Sequence, residues 1–192
     1  MKRYLGVILL ILCFSCGNDT TPKPHAYLRL DYPVPDYVKT HLDLPFTFDK
    51  NKLATNIKTR KLQGDVDSYG IDVEYPALKG TIYLTYKAIN GSEEKLINYL
   101  RDAQNFTQKH TQRADEISER PYDNIERKVY GMFYEVGGNA ASQSQFYVTD
   151  STNHFLTGSL YFYAKPNYDS ILPAANYLQN DIRRLMESVA WK

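Results

Sequence analysis

The chain has 192 residues, of which 23 are basic and 22 acidic for a formal net charge of +1, and it is rich in aromatics, with 17 Tyr and 8 Phe. A near-neutral chain without a clustered basic excess excludes recognition of polyanions, so no nucleic-acid partner and no purely electrostatic hold on anionic lipid are expected. Both cysteines, Cys13 and Cys16, lie near the start, so the rest of the chain folds without an internal disulfide and relies on an apolar core that this length can supply.

Met1-Lys2-Arg3 is a charged opening, and Tyr4 to Leu12 is an apolar run of signal-peptide rather than membrane-spanning length. Phe14-Ser15-Cys16-Gly17-Asn18 then turns polar. This reads as a lipoprotein signal peptide over 1–15, with small Ser15 before the cleavage point and Cys16 as the lipidated residue. The alternatives are an ordinary secretory signal and an uncleaved anchor; Cys13 is disfavoured because bulky Leu12 precedes it. Cleavage would leave two fewer basic residues than the 23 of the full chain, against 22 acidic. Attachment then rests on acyl chains at about 0.8 kcal/mol per buried methylene, stable once two or three chains are present.

Residues 16–24 read as the lipidated N-terminus and a flexible tether, because Gly17 to Pro24 is polar, carries two prolines and lacks apolar periodicity. Residues 25–192 read as one domain. Tyr27 to Tyr32 alternates like an edge strand stopped by Pro33, and Phe46-Thr47-Phe48 and Ile57 to Leu62 are candidate short strands. Ile71, Val73 and Tyr75 share a strand face, Pro76 to Gly80 turns the chain, and Ile82, Leu84 and Tyr86 continue a hairpin. Ser92 caps a helix with Glu93 and Glu94 in its first turn and a buried stripe of Leu96, Leu100 and Ala103 beside Tyr99 and Phe106, running to about His110.

Ala114 to Glu119 fits a short strand or a loop. Lys128 to Val136, Ser144 to Thr149 and His154 to Ala164 form a meander joined by tight turns. Asp169 or Ser170 caps a last helix with Pro173 in its first turn and Ala175, Leu178, Ile182, Leu185 and Val189 on one face, and Trp191 packs under its end. Blocks of strands with two segregated helices make an α+β fold: a hairpin, a helix, a three-strand meander and a C-terminal helix, with helices packed on an antiparallel sheet. The element order resembles a Mog1/PsbP-like arrangement.

The chemistry-bearing residues are sparse. His25, His41, His110 and His154 are scattered singly, His41 with Asp43 being the only near pair, whereas zinc needs three or four convergent ligands. No glycine-flanked nucleophilic serine and no phosphate loop occurs, so neither metal nor cofactor is expected. Asp65/Asp67 and Asp72/Glu74 have the spacing that puts two carboxylates on one strand face, a minimal basis for a hydrolase, but a solvent-facing polar side opposite Ile71, Val73 and Tyr75 is the better reading. Tyr161 and Tyr163, with Tyr130 and Tyr134, offer a platform for a partner or ligand. Thr20, Ser151 and Ser170 follow aspartates in short motifs that resemble bacterial O-glycosylation acceptors.

Pro22-Lys-Pro-His-Ala-Tyr-Leu-Arg-Leu-Asp-Tyr-Pro33 just after Cys16, together with Ile71-Asp-Val-Glu-Tyr-Pro76 leading into Thr81-Ile-Tyr-Leu-Thr-Tyr86, resembles the gliding-motility lipoprotein GldD family. The likeness extends over the mature chain to Asp181-Ile182-Arg183 and Trp191. The resemblance implies a non-enzymatic envelope lipoprotein of Bacteroidetes, required for gliding and associated with the type IX secretion machinery. Its expected partners are the membrane, through the lipid anchor, and other gliding or secretion lipoproteins. A lone acidic residue, Asp19, just after the cysteine, in place of the acidic cluster of a surface-export signal, implies an outer-membrane protein facing the periplasm. The alternative from another class is a periplasmic ligand-binding lipoprotein that holds a glycan or peptide on a tyrosine-rich sheet face. A concave pocket with convergent polar groups would favour it, and a flat apolar patch would favour a protein partner.

Overall fold

A computed structural model of the chain describes residues 31–63, 67–110, 114–138, 140–163 and 168–192. Cys16, Thr20, Asp65 and the first residues of the expected Tyr27 to Tyr32 strand lie outside these. Asp31 and Tyr32 belong to no strand, and the Tyr32 ring stacks on Tyr177 with centroids 4.9 Å apart.

Three short strands come first, β1 (Tyr37–Lys39), β2 (Phe46–Thr47) and β3 (Asp49–Asn51), with β1 paired to β3. Then follow β4 (Asn56–Lys61), β5 (Ser68–Tyr75), β6 (Gly80–Ala88), helix α1 (Glu93–His110), β7 (Ala114–Asn124), β8 (Val129–Gly138), β9 (Ser144–Thr149), β10 (His154–Phe162), helix α2 (Tyr168–Glu187) and β11 (Ala190–Trp191). Strands β4 to β10 make one antiparallel sheet in the order β4-β5-β6-β10-β9-β8-β7. The expected hairpin is β5 and β6 around a 3-10 turn at Pro76–Leu78, the meander is β8 to β10, and β6 joins the two through β10. The α+β fold is as the sequence implied.

The ambiguous segment from Ala114 is a full strand at the sheet edge, where Pro121 is tolerated because one side of an edge strand needs no donors. At the opposite edge, β4 reads Asn-Ile-Lys-Thr-Arg-Lys and is almost wholly exposed, a charged rim that discourages pairing with another chain.

Period-two alternation sorts the sheet into two faces. On one face Ile71, Val73, Ile82, Leu84, Leu156 and Leu160 are buried against Leu178, Ile182 and Leu185 of α2. Each fully buried aliphatic there contributes about 1.5–3 kcal/mol. Gly158, between Leu156 and Leu160, faces Phe146 across the strands, and a Cβ there would meet the Phe146 ring at 2.1 Å, so the missing side chain makes room for the ring.

The N-terminal strands extend this core. Phe46 stacks on Tyr86 at 5.5 Å, and Trp191, rather than packing under the helix end, pairs through β11 with β2 and stacks on His154 at 4.9 Å. Helix α2 begins at Tyr168, so Pro173 falls beyond the first turn that the spacing implied.

Tyr37, Asn51, Tyr75 and Tyr177 converge on Asp181 of α2, which is only 2% exposed. Tyr37 donates to Asp181 Oδ1 at 2.7 Å and the Asn51 amide to Oδ2 at 3.0 Å, tying the β1–β3 ribbon to α2. Arg184 of α2 reaches Asp49 at 2.7 Å and reinforces the join.

Helix α1 lies on the other face. Asn90 and Gly91 both take positive φ to turn the chain out of β6, and Ser92 Oγ accepts from the Lys95 amide at 3.3 Å, as expected of a cap. The stripe of Leu96, Tyr99, Leu100 and Ala103 is half-buried rather than buried, and Phe106 is 40% exposed. The helix therefore stands off the sheet instead of sealing it.

Candidate functional site

The gap under α1 is a cleft of about 300 Å³. Its floor comes from the alternate residues of three interior strands, Thr85 on β6, Thr157 and Ser159 on β10, and Gln145 on β9. The register sets them side by side: Thr157 faces Thr85 on one flank and Tyr147 on the other, and Ser159 faces Tyr83 and Gln145. The hydroxyls of Thr85, Thr157 and Ser159 have no hydrogen-bond partner among the described residues.

Aromatic rings bank this polar strip. Tyr83 and Tyr161 meet edge to face at 5.8 Å at one end, and Tyr147 and Phe155 lie parallel at 5.9 Å on the other side. Tyr99 reaches down from α1 onto Phe155 at 5.6 Å. Thr107 of α1 donates to Gln145 Oε1 at 3.2 Å, which leaves Gln145 Nε2 buried without a partner in a residue 2% exposed. Charge is confined to the rim, where the Lys87 ammonium lies 4.0 Å from Asp102 and 4.5 Å over the Tyr99 ring.

Of the residues singled out in the sequence, Tyr161 and Tyr163 do come together. Tyr161 lines the cleft; Tyr163 is 67% exposed beside it, with its hydroxyl 2.7 Å from Thr81 Oγ1 and 3.1 Å from Tyr83 Oη. Tyr134 lines the far end and is buried, and Tyr130 occupies the same face of β8. The hydrogen bond between Tyr83 and Tyr163, then burial, pushes the Tyr83 phenol up to about 12, and burial pushes Tyr134 up to about 12 as well. At neutral pH these phenols stay protonated, donors and acceptors rather than bases.

The acidic pair Asp72/Glu74 is consumed by pairing across β4 and β5. Arg60 reaches Asp72 at 2.6 Å and Lys58 reaches Glu74 at 2.5 Å, and the hydrogen bond from Lys58 holds the Glu74 carboxyl below its usual range. His41 and Asp43 are exposed on a loop. His154 accepts from or donates to Tyr86 Oη at 2.8 Å, and burial lowers its pKa so that it stays neutral. No group of three His, Cys, Asp or Glu converges among the described residues.

Ser151 sits on the β9–β10 turn with positive φ, exposed. Its neighbour Asp150 accepts from the amides of Thr152, Asn153 and His154. Burial alone would raise the Asp150 carboxyl, but those amides hold it below its usual value, so this aspartate has a structural task of its own. Ser170 is exposed near the start of α2. No helix among the described residues is long and apolar enough to cross a membrane.

A family model, Gliding motility lipoprotein GldD, matches residues 17–191. The chain belongs to this family. No curated protein and no solved structure matches it. Membership in the GldD family makes this a gliding-motility lipoprotein, and so a lipid-anchored protein of the cell envelope. Neither the cleft nor the Asp181 cluster follows from that family description. Tyr83, Gln145 and Phe155 were missed in the sequence because an aromatic or amide at an alternating position signals only a face; which strand lies beside it is a tertiary fact.

Proposed function

We propose that this GldD-family protein is a non-enzymatic, structural or accessory component of the gliding apparatus, associated with type IX secretion and working through protein contacts at the outer membrane. Residues 1–15 are removed, Cys16 carries the acyl chains, 16–24 form the tether, and 25–192 fold as one domain facing the periplasm of a Bacteroidetes cell. The observation that carries this reading is the family match, which starts at Gly17, the residue after Cys16. Other envelope lipoproteins of the gliding and secretion machinery are its partners. The exposed Tyr163, with Tyr161 and Tyr83 behind it, supplies an aromatic contact surface of the kind enriched at interfaces. Thr20, Ser151 and Ser170 are the positions for O-glycan attachment in this reading.

The test is affinity capture of the tagged, lipidated protein from mildly solubilised membranes, beside a Cys16→Ser variant. The wild type should stay with membranes and bring down gliding lipoproteins; Cys16→Ser should fold but wash free. Mass spectrometry showing an unmodified Cys16, or protease digestion of the domain on intact cells, would contradict the anchor or its orientation. The cleft beneath α1 favours a second capacity in the same protein, a small ligand held on the tyrosine face.

A further inference from the structure

We propose that the cleft between α1 and the sheet binds an uncharged saccharide, with Thr85, Thr157, Ser159 and Gln145 bonding its hydroxyls and the half-buried rings of Tyr161 and Tyr147 bracketing its C–H faces. This rests on the reading of the cleft as a ligand site and specifies the ligand class. The two kinds of lining are segregated in the way a pyranose requires. Three hydroxyls and one amide form a strip along the middle of the floor, and aromatic rings stand on either side of it. A sugar ring has the same division, hydroxyls around its edge and C–H groups on its faces.

Charge narrows the class further. The ionised side chains that line the cleft, Lys87 and Asp102, already face one another at the rim. An anionic or cationic ligand would find no uncompensated partner inside.

Two other occupants fit less well. An acyl chain would suit the rings, but it would displace water from the hydroxyls of Thr85, Thr157 and Ser159 without replacing a single hydrogen bond, and unpaired buried polar groups are expensive. An extended peptide binds a sheet by adding a strand at an edge, but β6, β10 and β9 are interior strands whose backbone groups are already paired on both sides. What the floor offers is side-chain hydroxyls and rings. At about 300 Å³ the cleft stands at the small end of ligand sites, which run from about 300 to 1,000 Å³, suited to one or two sugar rings.

The test is titration calorimetry on the full lipidated chain in phospholipid nanodiscs, which avoids sugar-headed detergents. The probes are N,N′-diacetylchitobiose, cellobiose and mannobiose, with dodecanoate and the tripeptide Ala-Phe-Ala as competing classes. At least one disaccharide should bind with a Kd of about 1 mM or tighter. Thr157→Val, which keeps the shape and removes one floor hydroxyl, and Tyr161→Ala should each weaken it about tenfold, while Lys61→Ala on the far edge strand should change nothing. Thermal melts of each variant separate lost binding from lost fold. Binding of dodecanoate or the tripeptide in the cleft, with no disaccharide bound, overturns the saccharide assignment and keeps the ligand-site reading. Absence of binding by all five probes at about 10 mM, or saccharide binding indifferent to both variants, overturns the two together and leaves the envelope role untouched.

Discussion

Asp181 is the most revealing position to perturb, because one carboxylate joins three separate parts of the chain. Tyr37, Asn51 and Tyr75 all donate to it; Asn51 and Tyr75 are 2% and 1% exposed, while Tyr37 is only half-buried. Asp181→Ala takes the acceptor from the buried Tyr75 hydroxyl and from one N–H of Asn51, whose amide keeps its bond to Tyr177 at 3.1 Å, at about 1–3 kcal/mol each, while water can reach Tyr37. Removing a buried charge offsets part of that loss, so the net destabilisation should be about 2–4 kcal/mol. For a chain of this size that lowers the melting temperature by about 5–15 °C. Asp181→Asn, which keeps one acceptor oxygen, should cost about 1 kcal/mol.

The pH dependence gives an independent check on the same site. Burial, the dominant influence, raises the Asp181 carboxyl above its usual value of 3.8, although its three donors pull the other way. The folded chain therefore holds this proton more tightly than the unfolded chain. Its stabilising effect is complete below the usual value and is lost as pH rises through the elevated one. Asp181→Asn has no such proton, so it should gain on the wild type as pH rises from about 4 to 7, while other titrations cancel in the difference. Urea unfolding followed by circular dichroism at both pH values reads this directly. An Asp181→Ala variant within about 0.5 kcal/mol of wild type, or an Asn-minus-wild-type difference that is flat with pH, would refute the cluster as described.

Ile182 is fully buried against the sheet, so Ile182→Ala should cost about 2–5 kcal/mol of a total near 5–15 kcal/mol. Immunoblots should show it scarce in cells, and unchanged abundance with unchanged melting would mean that α2 is not core. Gly158→Ala drives a methyl into the Phe146 ring, and overpacking of about 1–3 kcal/mol should appear in the same melts. Tyr163→Ala, at an exposed position, should leave stability within about 0.5 kcal/mol while reducing gliding or partner capture; full motility at normal abundance would remove Tyr163 from the contact surface.

Much of the architecture is legible in the sequence. Alternation at Ile71-Val73-Tyr75 and Ile82-Leu84-Tyr86 identified a hairpin and its inner face, and the Ser92 cap and the helical spacing of Leu178, Ile182 and Leu185 located both helices, because these patterns depend on backbone geometry that spans only a few residues. The expectation of a lipidation signal at Ser15-Cys16 rests on equally local sequence. Pairing is not local. That β6 lies beside β10, so that Thr85 meets Thr157, depends on burying the whole sheet against α2, and no alternation in either strand names its neighbour. Nor does the stripe on α1 say that the helix will stand off the sheet: an amphipathic face specifies what a helix prefers to bury, and the ring that Tyr99 meets at 5.6 Å, Phe155, comes from a strand far along the chain. Asp181 shows the same limit, since its donors come from β1, β3 and β5 and converge only when the N-terminal ribbon folds back on α2.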